Sequence, residues 1–170
     1  VEFGDMEVFQ YDRTNARYLC DALKKYDGIV FEGHSTDYQT PDCLRQMVED
    51  GIAILKVGPA LTYGLREGLF ALSLMEKELI DEEKRANFIS VMEEVMLADP
   101  GNWQKHYHGT EEEKRQARKY SFSDRCRYYM NSERIEAAIE KLFVNLDDAG
   151  IAMNMLHQYM PRQDNKVVAG

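Results

Sequence analysis

The chain has 170 residues, of which 30 are acidic and 21 are Lys or Arg, so its formal net charge is −9. This length fits one domain or two small ones, and the acidic balance argues against nucleic acid as a partner, because phosphate backbones are bound by clustered Lys and Arg. A hydrophobic share of 44% excludes a wholly disordered chain, and no apolar run reaches the ~18–20 residues of a membrane span.

The first third of the chain alternates short apolar runs with amphipathic stretches. Residues 28–31 and 52–57 are nearly continuous in apolar character, as expected of parallel strands that are covered on both faces. Residues 14–25 and 41–50 carry apolar side chains at helical spacing, and residues 1–3 fit the end of an earlier strand. This order of elements predicts βαβ units and a parallel sheet.

The predicted strands are too few to close a sheet. A barrel of eight βα units needs ~250 residues, and a sheet of two or three strands leaves both of its edges unpaired. The chain is therefore expected either to be a segment of a larger α/β protein or to have its edges covered by another subunit. A segment is the more economical explanation.

The rest of the chain is almost continuously helical. Apolar side chains recur at helical spacing, and Thr110 followed by three Glu residues is typical of a capped helix start. The predicted helices include residues 61–80, 85–97 and 132–146. Another helix is predicted to begin at residue 111. A short helix that Ser121 or Ser123 caps is predicted to end at residue 129. The tail at residues 151–161 is apolar enough to dock on the rest of the chain.

A first group of polar residues follows the strand predicted at residues 28–31. Glu32, His34 and Asp37 fall at its carboxyl end, where parallel α/β proteins bind ligands. His34 with Glu32 or Asp37 suits metal ligation, and His34 alone suits proton transfer. Alternatively, Asp37 and Thr40 cap the following helix and His34 bonds to the loop backbone. The sequence leaves both interpretations open.

A second group lies where the strand at residues 52–57 runs into a helix. Backbone N–H groups and the positive end of the helix converge at such a turn, which suits a phosphate. The candidate phosphate ligands are Lys56, Gly58, Ala60 and Ser35. Pro59 lacks an N–H group and weakens this site, and a turn that serves only packing is an equal alternative.

A third group, Arg125, Arg127 and Tyr128, lies in an aromatic stretch. Because Arg and Tyr are favoured at interfaces, these residues are candidates for contact with a partner or an anion, with core and capping roles as the alternative. His106 and His108 are not expected to share a metal, because side chains two positions apart diverge on a helix.

The three cysteines, Cys20, Cys43 and Cys126, are odd in number and form no CxxC pair. We expect buried free thiols in a reducing compartment. The first residues also lack the basic and apolar regions of a signal peptide. The prediction is a cytoplasmic protein.

Four segments together resemble the non-catalytic subunit of class II D-tagatose-1,6-bisphosphate aldolase. They are FEGHSTDYQT at 31–40, AILKVGPALT at 53–62, YSFSDR at 120–125 and QYMP at 158–161. Their order and spacing match over nearly the whole chain, although members of that family are longer. The resemblance implies that residues 1–60 are the last βα units of a (β/α)₈ TIM barrel, with two to three parallel strands. It implies that residues 61–170 are a helical extension packing on that barrel.

The resemblance also implies an accessory role. The non-catalytic subunit promotes the activity and stability of a separate catalytic subunit, which uses zinc to cleave tagatose 1,6-bisphosphate in galactitol or N-acetylgalactosamine catabolism. No cofactor is expected on this chain, because the zinc belongs to the partner. Family members have also been labelled tagatose-6-phosphate kinases, but the P-loop pattern GxxxxGK[ST] is absent from this sequence.

The same strand-end segments are similar to those of catalytic class II aldolases. In that group a His on the next-to-last strand binds zinc, and Gly-rich backbone after the last two strands holds phosphate. His34 and Gly58 lie at comparable places, but Ser35, Thr36 and Asp37 replace the Gly-rich loop. A residual metal or phosphate pocket is therefore the furthest expectation. The alternative function is a metal-dependent sugar-bisphosphate aldolase or sugar-phosphate-binding enzyme in its own right.

Overall fold

The structure is a computed structural model that describes residues 2–161, and it divides into two compact units. The first unit consists of Val1–Thr62 together with Tyr120–Asp124. The second consists of Tyr63–Lys119 together with the described residues from Arg125 onward. A five-residue segment from the second half of the sequence therefore folds with the first unit.

The strands of the first unit form two separate pairs. Their bounds are β1 Glu2–Phe3, β2 Val8–Phe9, β3 Phe31–Gly33 and β4 Ile52–Leu55. β1 and β2 are antiparallel across a turn in which Gly4 N donates to Glu7 O at 2.8 Å. β3 and β4 are parallel, with Gly33 aligned with Leu55, and a helix connects them. This connection is the predicted βαβ unit.

The prediction for residues 1–3 is wrong in its pairing. Glu2 and Phe3 do form a strand, β1, but the tight turn after Phe3 brings β2 alongside it. β1 therefore pairs with β2 and does not add a third parallel strand to the described sheet of β3 and β4. The strand predicted from residue 28 begins at Phe31, because Gly28 has a φ of 80° and interrupts the extended chain. The α/β class is confirmed, whereas the barrel and the domain boundary at residue 60 stay predictions.

The helices predicted from apolar periodicity are present, with ends shifted by a few residues. The bounds of the helices are α1 Arg13–Leu23, α2 Pro41–Glu49, α3 Pro59–Leu79, α4 Phe88–Ala98, α5 Glu111–Tyr120, α6 Glu133–Ala149 and α7 Met153–Tyr159. The sequence did not predict α7, which lies in the apolar tail at residues 151–161. The short helix ending at Tyr129 is a 3₁₀ helix. Thr40 caps α2 by accepting from Cys43 N at 3.2 Å. Thr110 and Glu113 cap α5 reciprocally, each side chain accepting from the other's backbone N–H.

The hydrophobic core of the second unit is built mainly from α3, α4 and α6. Phe88 and Met96 of α4 and Ile135 and Leu142 of α6 have no exposed surface. Trp103, just after α4, is also buried, and its Nε1 donates to Met96 O at 2.6 Å. The second unit thus buries most of the apolar stripes that its sequence pattern predicts, but Leu65 of α3 and Phe143 of α6 are 55% and 51% exposed.

No helix in residues 2–161 is both long and apolar enough to cross a bilayer. The three cysteines lie within this range and form no disulfide. Cys126 is buried, whereas Cys20 and Cys43 are half-buried.

Candidate functional site

Three candidate residues meet at the carboxyl ends of β3 and β4. Glu32 Oε1 lies 2.7 Å from His34 Nε2 and 3.8 Å from Lys56 Nζ. The parallel pairing is responsible, because Lys56 N donates to Gly33 O at 2.9 Å and so places Lys56 beside the end of β3. The side chains of Glu32, His34 and Lys56 are 42%, 62% and 58% exposed. We call these three residues the Glu32 cluster.

The Glu32 cluster combines a carboxylate, an imidazole and an ammonium group in contact with solvent. An imidazole that is hydrogen-bonded to a carboxylate can accept or donate a proton in an oriented way. A metal ion is a poorer fit, since residues 2–161 contain no group of three His, Cys, Asp or Glu side chains that could hold one. The ammonium group of Lys56 would also repel a cation at Glu32. The cluster is thus best suited to proton transfer or to a polar ligand.

Asp37 belongs to the loop after β3, and its side chain accepts hydrogen bonds from the beginning of α3. This is the turn that the sequence predicts to bind phosphate. Asp37 Oδ1 accepts from Gly58 N at 2.6 Å and from Ala60 N at 3.0 Å. These are the two N–H groups that the sequence assigns to a phosphate. The interpretation of Asp37 as a cap of α2 is wrong, because Asp37 bonds to the start of α3 and Thr40 alone caps α2. The chain's own carboxylate occupies the anion position of this turn.

The loop between β3 and Asp37 is held by backbone contacts that the sequence does not reveal. Thr36 is buried, and both its N and its Oγ1 donate to Lys56 O, at 3.4 and 2.9 Å. Ser35, the hydroxyl of the predicted phosphate site, adopts a φ of 58° in the left-handed region, which turns the chain into the loop. Gly33 is tightly packed, because a Cβ there would lie 2.8 Å from Met47 Cε and 3.1 Å from Ile52 Cγ2, and both side chains would have to shift. These contacts fix the backbone of Lys56 at the end of β4.

The segment Tyr120–Asp124 bonds to Asp5 in the first unit. Ser121 Oγ and Ser123 Oγ donate to Asp5 Oδ1 at 2.7 and 3.2 Å. Phe122 N donates to Asp5 O at 3.0 Å. Asp5 lies two residues after the end of β1, so the segment attaches to the chain just beyond a strand end.

The same segment also contacts the loop that follows β3 and the first turn of α3. Tyr38 OH donates to Phe122 O at 2.7 Å, and its ring lies 4.7 Å from the ring of Phe122 and 5.0 Å from that of Phe3. Thr62 Oγ1 donates to Asp124 Oδ2 at 2.6 Å. Sequence reasoning treated Ser121 and Ser123 only as helix caps and missed this set of contacts. The available signal was that polar side chains occur within a few residues of the ends of β1, β3 and β4.

The candidate interface residues lie in the second unit. Arg125 N donates to Tyr107 OH at 3.3 Å and its Nη1 donates to Asn102 O at 2.9 Å, so Arg125 holds a neighbouring loop. The Arg127 guanidinium lies 4.4 Å from the centre of the Tyr128 ring, which is half exposed. Arg127 and Tyr128 thus form a surface pair, and their contact with a partner or an anion stays a prediction.

Comparison with known proteins agrees with the sequence resemblance. A family model described as D-tagatose-1,6-bisphosphate aldolase subunit GatZ/KbaZ-like matches residues 1–170. Among solved structures, the chain is similar to one described as a probable tagatose 6 phosphate kinase from Sinorhizobium meliloti 1021, with 44% sequence identity and a TM-score of 0.92. The match covers 100% of this chain and 44% of that one. The chain therefore spans less than half the length of the solved relative.

Proposed function

Since the chain belongs to the GatZ/KbaZ-like family of D-tagatose-1,6-bisphosphate aldolase subunits, we propose that it is part of a non-catalytic accessory subunit. In this role it supports the activity and stability of a separate class II aldolase subunit in the cytoplasm. The partner holds the zinc and cleaves tagatose 1,6-bisphosphate in galactitol or N-acetylgalactosamine catabolism. The chain itself contributes contact surface and no cofactor.

The observation that carries the proposal is the occupied turn at the start of α3. A substrate phosphate at this turn would need the N–H groups of Gly58 and Ala60, but Asp37 Oδ1 accepts from both. The carboxylate also repels a phosphate that approaches the same position. A strand-end turn filled by the chain's own side chain fits a supporting role better than a role in substrate cleavage.

The donor set of the Glu32 cluster supports the assignment of zinc to the partner. Catalytic zinc sites use three protein ligands and keep one position open. His34 and Glu32 offer two donors, and the ammonium group of Lys56 lies 3.8 Å from the same carboxylate oxygen. Two donors beside a positive charge fall short of such a site.

The alternative is a metal-dependent sugar-bisphosphate aldolase or sugar-phosphate-binding enzyme. The observation in its favour is the exposure of a carboxylate, an imidazole and an ammonium group together at the ends of two parallel strands, which is where α/β proteins bind ligands. The solved relative is described as a probable tagatose 6 phosphate kinase, but this chain lacks the P-loop pattern that a kinase of the P-loop kind would need.

The deciding experiment co-expresses this chain with a class II tagatose-bisphosphate aldolase catalytic subunit. We expect the two to co-purify, and the partner's specific activity and melting temperature to rise when the chain is present. The chain alone should show no aldol cleavage. Stoichiometric zinc on the chain, together with turnover that Glu32→Gln or His34→Gln abolishes, would contradict the accessory role and support the alternative. The exposed acid Asp42, replaced in Asp42→Asn, is a matched control for Glu32→Gln.

A further inference from the structure

An apolar groove lies between α3, α6 and the residues that connect α6 to α7. Its volume is about 560 Å³. The groove is lined mainly by apolar side chains, which are Leu72 of α3, Phe143, Val144 and Leu146 of α6, and Ile151 beyond α6, together with Asp147 and Gly150. All of these residues belong to the second unit. We call this feature the α6 groove.

Two large apolar side chains at the α6 groove are exposed. Phe143 is 51% exposed and Val144 is 54% exposed, although both lie in a helix whose opposite face is buried. The exposed face of an amphipathic helix normally carries polar side chains. A single exposed apolar residue needs no explanation, but two neighbouring ones that line a groove are typical of a contact surface. Residues 2–161 therefore leave this part of the groove partly uncovered.

Acidic residues flank the exposed apolar pair. Asp147 and Asp148 lie in the last turn of α6, and Glu140 lies about two turns before Asp147 on the same face of the helix. All three acids are exposed. Lys141, the one cation between Glu140 and Asp148 in the sequence, donates from Nζ to Arg85 O at 2.9 Å. The α6 groove is thus bordered by negative charge.

The two aspartates lie at the unfavourable end of their helix. A helix C-terminus carries a partial negative charge, so it favours Lys, Arg or His and disfavours carboxylates. The last turn of α6 contains no base. Acidic side chains that break this local rule beside an apolar groove indicate a functional surface, whose charge is matched by a cation from outside residues 2–161.

The chemistry of the α6 groove selects the kind of occupant. A segment with Lys or Arg beside apolar side chains, such as a basic amphipathic helix, would match both the three carboxylates and the exposed apolar pair. Nucleic acid and anionic membranes carry the wrong charge for this surface. A second copy of the chain is also disfavoured at the same groove, because a two-fold contact would bring the acids of one copy towards those of the other.

We propose that the α6 groove is the surface on which the class II aldolase subunit docks, through a segment that carries Lys or Arg beside apolar side chains. The inference rests on the accessory role proposed above and names the surface that performs it. The apolar side chains of the segment enter the groove between α3 and α6. Its cations lie against Glu140, Asp147 and Asp148 and relieve the unfavourable charge at the end of α6.

The test measures the affinity of the full chain for a purified class II tagatose-bisphosphate aldolase catalytic subunit by calorimetric titration. We expect binding that weakens as the salt concentration rises, because surface charge pairs are screened. Glu140→Lys combined with Asp147→Lys should weaken binding by at least about tenfold, since it places like charges opposite each other. The melting temperature of this variant should not fall, because both positions are exposed and Asp147→Lys puts a cation at the helix C-terminus. Val144→Ser should weaken binding by at least about threefold, because less apolar surface is buried.

The matched control is Glu7→Lys combined with Asp27→Lys, which makes the same change in net charge at two exposed positions of the first unit. This control should bind the aldolase subunit as tightly as the wild type does. Equal weakening by the control would overturn the docking surface, because the effect would then follow the net charge alone.

The remaining outcomes separate the docking surface from the accessory role. Equal affinity of the wild type and the α6 variants would overturn the surface and leave the accessory role standing. A wild-type chain that does not bind the aldolase subunit would contradict both. Self-association of the chain that Val144→Ser disrupts would overturn the surface, in favour of a second copy of this chain as the occupant.

Discussion

Asp37 and Gly58 are joined by a hydrogen bond of 2.6 Å between Oδ1 and the backbone N–H group, across 21 positions of the sequence. The same carboxylate oxygen accepts from Ala60 N. The bonds tie the loop after β3 to the first turn of α3, and they place a negative charge at the positive end of a long helix. One side chain therefore governs both the stability of this turn and its availability to an anion.

The first prediction concerns the stability that Asp37 provides. Asp37→Ala removes the acceptor of two N–H groups at a helix start, and we expect a loss of ~1–3 kcal/mol in the free energy of unfolding. Urea denaturation of the full chain measures it. Asp42→Ala is the control, because Asp42 is an exposed acid of α2 whose partner is the neighbouring Arg45. Equal losses in the two variants would contradict the role of Asp37.

The second prediction concerns anions at the same turn. Asp37 and inorganic phosphate compete for the N–H groups of Gly58 and Ala60, so Asp37→Ala should bind phosphate more tightly than the wild type does. Calorimetric titration at low salt measures the difference. Adding Lys56→Ala to this variant should reverse the gain if Lys56 is a phosphate ligand. Unchanged binding in Asp37→Ala would argue against a phosphate site at this turn.

The third prediction concerns how little the Glu32 cluster contributes to the stability of the chain. Its ion pairs are solvent-exposed, and exposed pairs contribute ~0–1 kcal/mol to stability. Glu32→Gln should therefore leave the melting temperature almost unchanged. Any effect of this variant on the activity of a co-expressed aldolase would then reflect function. A large drop in melting temperature would show that the cluster is structural.

The fourth prediction concerns Glu76, a carboxylate of α3 that is buried in the second unit. It accepts from Ala86 N and Asn145 Nδ2, each at 2.7 Å, and from Asn87 N at 3.4 Å, directly before α4. Ala86 is buried, and a buried donor without an acceptor costs ~1–3 kcal/mol, so Glu76→Ala should destabilise the chain by at least ~1 kcal/mol. Glu78→Ala, on the exposed side of the same helix, should cost less than ~0.5 kcal/mol. Chemical denaturation compares the two variants.

The fifth prediction is a pH dependence at Asp50. The hydrogen bond from Arg13 Nε, at 2.9 Å, lowers the pKa of the Asp50 carboxyl, and Tyr11 OH donates to the same oxygen at 2.9 Å. Because the folded pKa lies below the unfolded value of ~3.9, the stabilisation is present above that pH and is lost as the pH falls through the folded pKa. Wild type should therefore have a higher melting temperature than Asp50→Asn at about pH 6, and this difference should shrink as the pH falls below ~3.9.

The control for this prediction is Asp27→Asn, which replaces an exposed acid in the loop before β3. Its melting temperature should follow that of the wild type across the same range. A gap between wild type and Asp50→Asn that widens as the pH falls would contradict the sign of the effect. The gap is expected to be small, because Arg13 is nearly half exposed.

Much of the secondary structure follows from the sequence. The apolar stripes of α3, α4 and α6 recur at helical spacing, and the caps at Thr40 and Thr110 were readable from residue type and position. The order of strand, helix and strand also predicts the parallel pairing of β3 with β4. Such signals work because periodicity and capping act within one or two helical turns.

The pairing of β1 was not readable in the same way. Two apolar residues before a turn are compatible with a parallel or an antiparallel neighbour, and the turn after Phe3 selected the antiparallel one. The destination of Asp37 was also ambiguous, since the start of α2 and the start of α3 both offer backbone N–H groups. Only the folded loop brings its carboxylate to Gly58 and Ala60.

By itself, the sequence determined most of the helices, the βαβ order and the family. The helices and the βαβ order depend on local periodicity, and the family is evident from long segments that resemble those of its members. Only the tertiary structure decided that Glu32, His34 and Lys56 form one cluster, and that Tyr120–Asp124 folds with the first unit. Contacts of this kind join residues that lie far apart in the chain. They depend on how strands and loops come together, which no short stretch of residues specifies.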